Sequence, residues 1–299
     1  MAEGEDAGDA GLKTYDVATN DISLSVTEQG EGPAVLFCHG FPDTSYTWRR
    51  QMKAIASAGY RAIAPDMRGY GHSSAPADAT LYTPLQTTGD LVGLLDALKI
   101  SSAVLVGHDW GASHAWNAAL MLPDRFTAVF CLSVPYVPRA DVSIFERMRK
   151  SSHQNDFYMF EQIRPEADQI WADAAVTIPA VLHWASGSAP ADKRWSPFDP
   201  ARSLHRPVPG PLPSWAEPDY VRHNVAEPRR RNVFLSVRRF QRREDLSAFL
   251  FHLGQGGWLE RALSTDNGPN ARRPSRSRRG ARTRQCGPLG TTRSLCRGQ

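Results

Sequence analysis

No run of about 18 apolar residues occurs anywhere in the sequence, so no membrane-spanning helix and no membrane partner are expected. The N-terminal stretch MAEGEDAGDAGLK is acidic and lacks an apolar centre, so it does not read as a signal peptide. Cysteine is sparse. Cys38, Cys131, Cys286 and Cys296 share no metal-ligand spacing, which argues against a metal site and fits a reducing compartment, with the cytoplasm as the expectation. Cys38 and Cys131 read as plain core residues. Internal repeats are lacking too.

The most telling absence is local. Residues 228–299 contain no Lys, Ile, Tyr or Met, yet hold 17 Arg against four acids. The preceding chain is net acidic, so the overall charge of +4 averages two unlike regions. A boundary is expected there.

What is present before that boundary alternates strand and helix signals. DISLSVTEQG alternates like a half-exposed strand and ends at a turn, and AVLFCHG, RAIAPD, SAVLVG and TAVFCLSV are short apolar runs typical of buried strands. Between them, TWRRQMKAIASAGY, TTGDLVGLLDALKI and the stretch from Gly111 to about Leu122 carry helical spacing. Short buried strands alternating with helices predict an α/β fold with a mainly parallel sheet and right-handed crossovers. From Pro135 the pattern becomes helical without buried strands, followed by the proline-rich connector HRPVPGPLPSWAEPDYVRHNVAE. The expected organisation is an extension at 1–14, a core at 15–134, a helical insertion at 135–227 and an anomalous Arg-rich segment at 228–299.

The chemistry concentrates in Gly107-His108-Asp109-Trp110-Gly111, of the form G-x-nucleophile-x-G. A strand before it and a helix after it would lift residue 109 above the sheet on a tight turn, with the glycines relieving the crowding. The residue after the nucleophile offers its backbone N–H to an oxyanion, so Trp110 is one expected donor. The turn after AVLF, in CHGFPD, supplies Phe41 N–H as the other. Asp109 alone reads equally as a helix N-cap; the flanking frame makes it a candidate nucleophile. His39 and His108 sit at structural motif positions, Asp66 is expected to organise its loop with Arg68, and Trp48 and Trp110 either fill the core or line a pocket.

HGFP at 39–42, YTWRRQ, APDMRGYGHSS at 64–74 and VGHDWGASHAWNAAL together resemble the epoxide hydrolase branch of the α/β-hydrolase superfamily, over roughly residues 15–227. The resemblance implies an α/β-hydrolase fold with an inserted helical cap, no cofactor, no metal and a small-molecule epoxide substrate. It implies that Asp109 attacks an epoxide carbon to form an ester. A carboxylate, already ionised at neutral pH, needs no base for that attack. It further implies that a cap tyrosine, falling on Tyr158 in NDFYMFEQ, protonates the opened epoxide oxygen, and that Phe41, Trp110 and Tyr158 contact substrate.

The family pattern breaks after HNVAE. The second cap tyrosine, the last strands and the His–acid pair that activates water are not recognisable, and turnover of this chain is therefore in question. Residues 228–299 have three readings: a polyanion-binding segment, a divergent domain with its own base, or a translated shift of reading frame. The third is favoured, leaving the C-terminal strands and helices of the fold missing or replaced; nucleic acid is not expected as a partner. A haloalkane dehalogenase and a non-catalytic binding protein on a degraded hydrolase scaffold are the rival functions.

Overall fold

The computed structural model describes residues 11–138, 141, 144–151 and 156–226. The Arg-rich segment from 228 onward, with the expectations attached to it, lies outside these.

Six strands form one sheet in the order β1-β2-β4-β3-β5-β6. β1 (Lys13–Thr19) and β2 (Ile22–Gln29) make an antiparallel hairpin, closed by Asn20 and Asp21 at φ 42° and 60°. Two positive φ angles at a two-residue turn match the twist of the strands they join. β1 goes unrecognised in the sequence reading because KTYDVAT is mostly exposed and polar, so its place shows only through pairing. β2 runs antiparallel to β4 (Arg61–Pro65), whereas β4, β3 (Ala34–Cys38), β5 (Ala103–His108) and β6 (Phe126–Leu132) run parallel.

Each parallel step is spanned by one helix: α1 (Arg49–Ser57), α2 (Pro84–Ala97) and α3 (Trp110–Met121). Alternation along β3 decides which helix covers which face, since successive side chains point oppositely. Val35 and Phe37 pack with Trp48 and Met52 of the α1 layer, while Leu36 and Cys38 pack with Leu91, Leu94 and Leu95 of α2 and Ala115 and Ala118 of α3. Trp48 is thus core, 5.2 Å from Phe37. α2 starts earlier than its apolar pattern suggests because Thr83 Oγ1 accepts from Gln86 N–H at 2.9 Å and Pro84 takes the first turn.

One buried ion pair pins the loop after β4 to the sheet's side. Arg68 Nε donates to Asp90 Oδ2 at 2.8 Å, both side chains are 2% exposed, and Asn20 of the hairpin turn donates to the same carboxylate at 2.9 Å. Arg68 therefore serves Asp90, not Asp66 as expected. Asp66 does organise its own loop, accepting from Ser45 N–H at 2.8 Å and His72 N–H at 3.0 Å.

After β6 the described chain is helical: α4 (Ile144–Arg149), α5 (Met159–Gln162), α6 (Ala167–Ile170), α7 (Ala174–Trp184) and α8 (Pro218–Ala226). No helix among the described residues is long and apolar enough to cross a membrane.

Candidate active site

A single residue, Asp109, turns the chain from β5 into α3. It does so at φ 54° and ψ −122°, a region that costs a side-chain-bearing residue roughly 1–3 kcal/mol and persists only where the surroundings enforce it. The enforcing contact is close packing of the first turn of α3 on β3: a Cβ on Gly111 would lie 2.0 Å from the Cys38 carbonyl oxygen. The Asp109 N–H is met by Ser133 Oγ at 3.3 Å, at the end of β6.

The turn after β3 closes on the carboxylate from the other side. Phe41 N–H donates to Asp109 Oδ1 at 2.9 Å, and the Trp110 amide donates to the same group. Gly40 makes this approach possible, because a Cβ there would sit 2.5 Å from Asp109 Oδ1. Burial pushes the Asp109 carboxyl above the usual range; the two amides and His108 pull it back only in part.

The helical segment supplies the opposite wall. Tyr158 precedes α5, its N–H bonded to the Pro197 carbonyl at 2.9 Å and its ring edge-on to Phe157 and Trp195 at 5.1 and 5.4 Å. Burial first, and the Asp109 charge second, push its phenol well above the ordinary value, so it stays protonated at neutral pH. Trp171 meets Phe41 edge-on at 4.8 Å, and Ile163, Ala167 and Trp171 form a cluster against Phe41 and Trp110. Trp171 and Trp195 were not among the expected site residues: they lie in segments without periodicity and 13 and 37 positions beyond Tyr158.

Elsewhere α8 is fastened to the same HGFP turn. Tyr220 Oη donates to Asp43 Oδ1, Arg49 pairs with Glu217 at 2.7 Å, and the Tyr46 ring stacks on His223 at 3.8 Å. Asp43 N–H in turn bonds the Gly40 carbonyl at 3.0 Å, closing the loop that presents Phe41.

His39, near the elbow, is held in place by backbone. His39 Nε2 accepts from Met67 N–H at 2.9 Å and Nδ1 faces the Gly40 carbonyl at 2.9 Å, so the ring is held neutral, and burial lowers its pKa. His108 is the last residue of β5, its side chain half-buried. Burial pushes the Cys38 thiol up to about 12 and that of Cys131 upward, leaving both unreactive at neutral pH.

A mainly parallel sheet, a strained acid on a strand-to-helix turn and two amides converging on it define a class, and comparison agrees: the chain belongs to the alpha/beta hydrolase fold family, which matches residues 33–228. Within that family, the relatives it resembles include epoxide hydrolases. It is 80% identical over 220 residues to the epoxide hydrolase of Caballeronia sordidicola, covering 74% of this chain and 67% of the relative. It is 40% identical over 218 residues to epoxide hydrolase A of Mycobacterium tuberculosis, covering 71% and 68%. Among solved structures, epoxide hydrolase A from Mycobacterium thermoresistibile superposes with a TM-score of 0.71 at 36% identity, over 80% of this chain and 78% of that one. These matches span about two thirds to three quarters of the relatives' own lengths. The dehalogenase and binding-protein alternatives are not favoured.

Proposed function

We propose that the chain opens epoxides through an alkyl ester on Asp109 and passes them toward diols, with residues 135–227 acting as a cap over the elbow. Asp109 Oδ2 attacks an epoxide carbon; the new C–O bond forms as the ring C–O bond breaks. The alkoxide so released takes the proton of Tyr158, whose phenol stays protonated across the neutral range. A leaving halide would need no such proton, which favours epoxide over haloalkane.

The observation that carries this reading is where the two amides aim. In a serine-type elbow such donors face the oxygen of a bound substrate. Here Phe41 N–H and Trp110 N–H already hold the carboxylate of Asp109 itself. That is the right target for an alkyl ester on Asp109, because when water attacks its carbonyl carbon the oxyanion develops on Oδ1, the oxygen that Phe41 N–H already holds. In the resting state the Phe41 bond falls on Oδ1, and Oδ2 is the oxygen assigned here as nucleophile.

Incubation with styrene oxide followed by intact-mass measurement tests this. The expected result is a covalent increment equal to one epoxide, mapping to Asp109 in peptides and appearing faster than diol. Diol formed over many turnovers without adduct would show that this chain also activates water and hydrolyses the ester. Absence of both adduct and diol, or bromide release from 1,2-dibromoethane, would overturn the epoxide reading.

A further inference from the structure

The Phe41 amide serves Asp109 only if the HGFP turn is held still, and the middle of that turn offers nothing to hold. Gly40 has no side chain, and a Cβ there would lie 2.5 Å from Asp109 Oδ1. One backbone bond closes the turn, from Asp43 N–H to the Gly40 carbonyl at 3.0 Å. Its anchors therefore lie at its two ends. At the first, the His39 ring bridges the Met67 N–H and the Gly40 carbonyl, each at 2.9 Å. At the second, the buried Asp43 side chain accepts from the Tyr220 phenol of α8.

α8 is tied to this region twice, and the two ties differ in kind. Glu217, just before the helix, pairs with Arg49 and Arg50 with 36% of its side chain exposed, and exposed pairs contribute little. Tyr220 and Asp43 meet where Asp43 is 8% exposed. A buried carboxylate is costly without a donor. Tyr220 stays a donor: burial first, and the Asp43 charge second, push its phenol above the ordinary value, so it keeps its proton at neutral pH. The Thr47 side chain hydrogen-bonds to the same phenol.

We infer that Tyr220 and Asp43 form a positioning pair for ring opening: their bond fixes the far end of the HGFP turn and so holds Phe41 N–H on the nucleophile. The inference rests on the proposed ester chemistry at Asp109 and adds to it two residues that act through Phe41. A carboxylate that has lost part of its support presents Oδ2 off-line to the epoxide carbon, and small misplacements of reacting groups are expensive in rate. The effect of the pair therefore belongs in the maximal rate of ring opening and not in half-saturation.

The test follows the opening of styrene oxide, read as adduct plus diol, against epoxide concentration. Tyr220→Phe removes the hydroxyl and keeps the ring, which lies 6.5 Å from the Tyr46 ring and 5.1 Å from the Arg49 guanidinium. This variant and Asp43→Ala should each lower the maximal rate about tenfold, with half-saturation within about twofold of the wild type. The double variant should lose no more than either single one, because all three cut the same link. Asp43→Asn keeps an acceptor for Tyr220 and should stay within about threefold of the wild type. Glu217→Gln, which cuts only the exposed tie, should match it. A wild-type maximal rate in Tyr220→Phe overturns the inference, as do additive losses in the double variant. So does a loss in Asp43→Asn or in Glu217→Gln as large as that in Tyr220→Phe. Should Asp43→Ala fail to fold, Tyr220→Phe set against Asp43→Asn decides the matter. Failure of the wild-type chain to open styrene oxide at all would instead overturn the function beneath it.

Discussion

The two walls of the site are built by different means. On the sheet side, Asp109, Phe41 and Trp110 are placed by backbone: a strand end, a helix start, two amide N–H groups and glycines at contacts of 2.0 and 2.5 Å where no Cβ fits. On the helical side, Tyr158 immediately precedes the four-residue α5, and its ring is placed by edge-on packing against Phe157 and Trp195. Backbone hydrogen bonds and close packing admit one arrangement, whereas aromatic contacts tolerate several. The proposed nucleophile and its two amides therefore sit on the wall built by backbone, and the proposed proton donor on the wall built by aromatic packing.

The largest effect separating the walls is expected at the nucleophile. Asp109→Asn should lower alkylation by styrene oxide about 10⁴-fold or below detection, because the neutral amide is no substitute for a carboxylate nucleophile. The Phe41 and Trp110 donors remain, so the fold is retained, as circular dichroism would report. Alkylation in this variant at another residue, at the wild-type rate, would remove Asp109 from its role.

Gly111→Ala forces a methyl against the Cys38 carbonyl and should cost about 3 kcal/mol in a denaturant titration. Tyr158→Phe, on the other wall, should leave stability within about 0.5 kcal/mol and slow alkylation about 10²-fold, through loss of the proton donor. Equal destabilisation by the two substitutions would erase the distinction between the walls. An unchanged alkylation rate in Tyr158→Phe would take the proton donor away from Tyr158.

The same contrast explains how much was legible in the sequence. The sheet side is written locally: G-H-D-W-G between a β run and a helical run, and H-G-F-P after another β run, give the elbow and both amides from adjacent residues. The helical side is not. Tyr158 follows only from the resemblance, and Trp195, whose ring meets it edge-on, lies 37 positions further along in a stretch that carries no period. Arg68 was misassigned for a related reason. Asp66 is two residues away and Asp90 twenty-two, but the nearer carboxylate is consumed by the amides of Ser45 and His72.

Acid should also find the sheet side first. His114, one turn into α3, is held neutral: burial lowers its pKa from 6.5 to about 4, and its Nδ1 lies 3.2 Å from Thr87 Oγ1 on α2. The unfolded chain protonates this ring near pH 6.5 and the folded chain only near pH 4, so between those values unfolding takes up a proton. Its contribution is present above pH 6.5 and is lost as the pH falls toward 4, about 2 kcal/mol of it by pH 5. His39 is lowered by burial as well and acts in the same direction. Melting curves at pH 7.5, 6.5 and 5.5 and at pH 5 should therefore show the midpoint falling by about 4–8 °C, with most of the loss below pH 6.5. His114→Gln, which retains a polar partner for Thr87 but cannot titrate, should lose less on acidification while His39 continues to contribute. A midpoint that stays level down to pH 5 would mean that the ring is not held neutral beneath the elbow; acid sensitivity undiminished in His114→Gln would move its source to other groups.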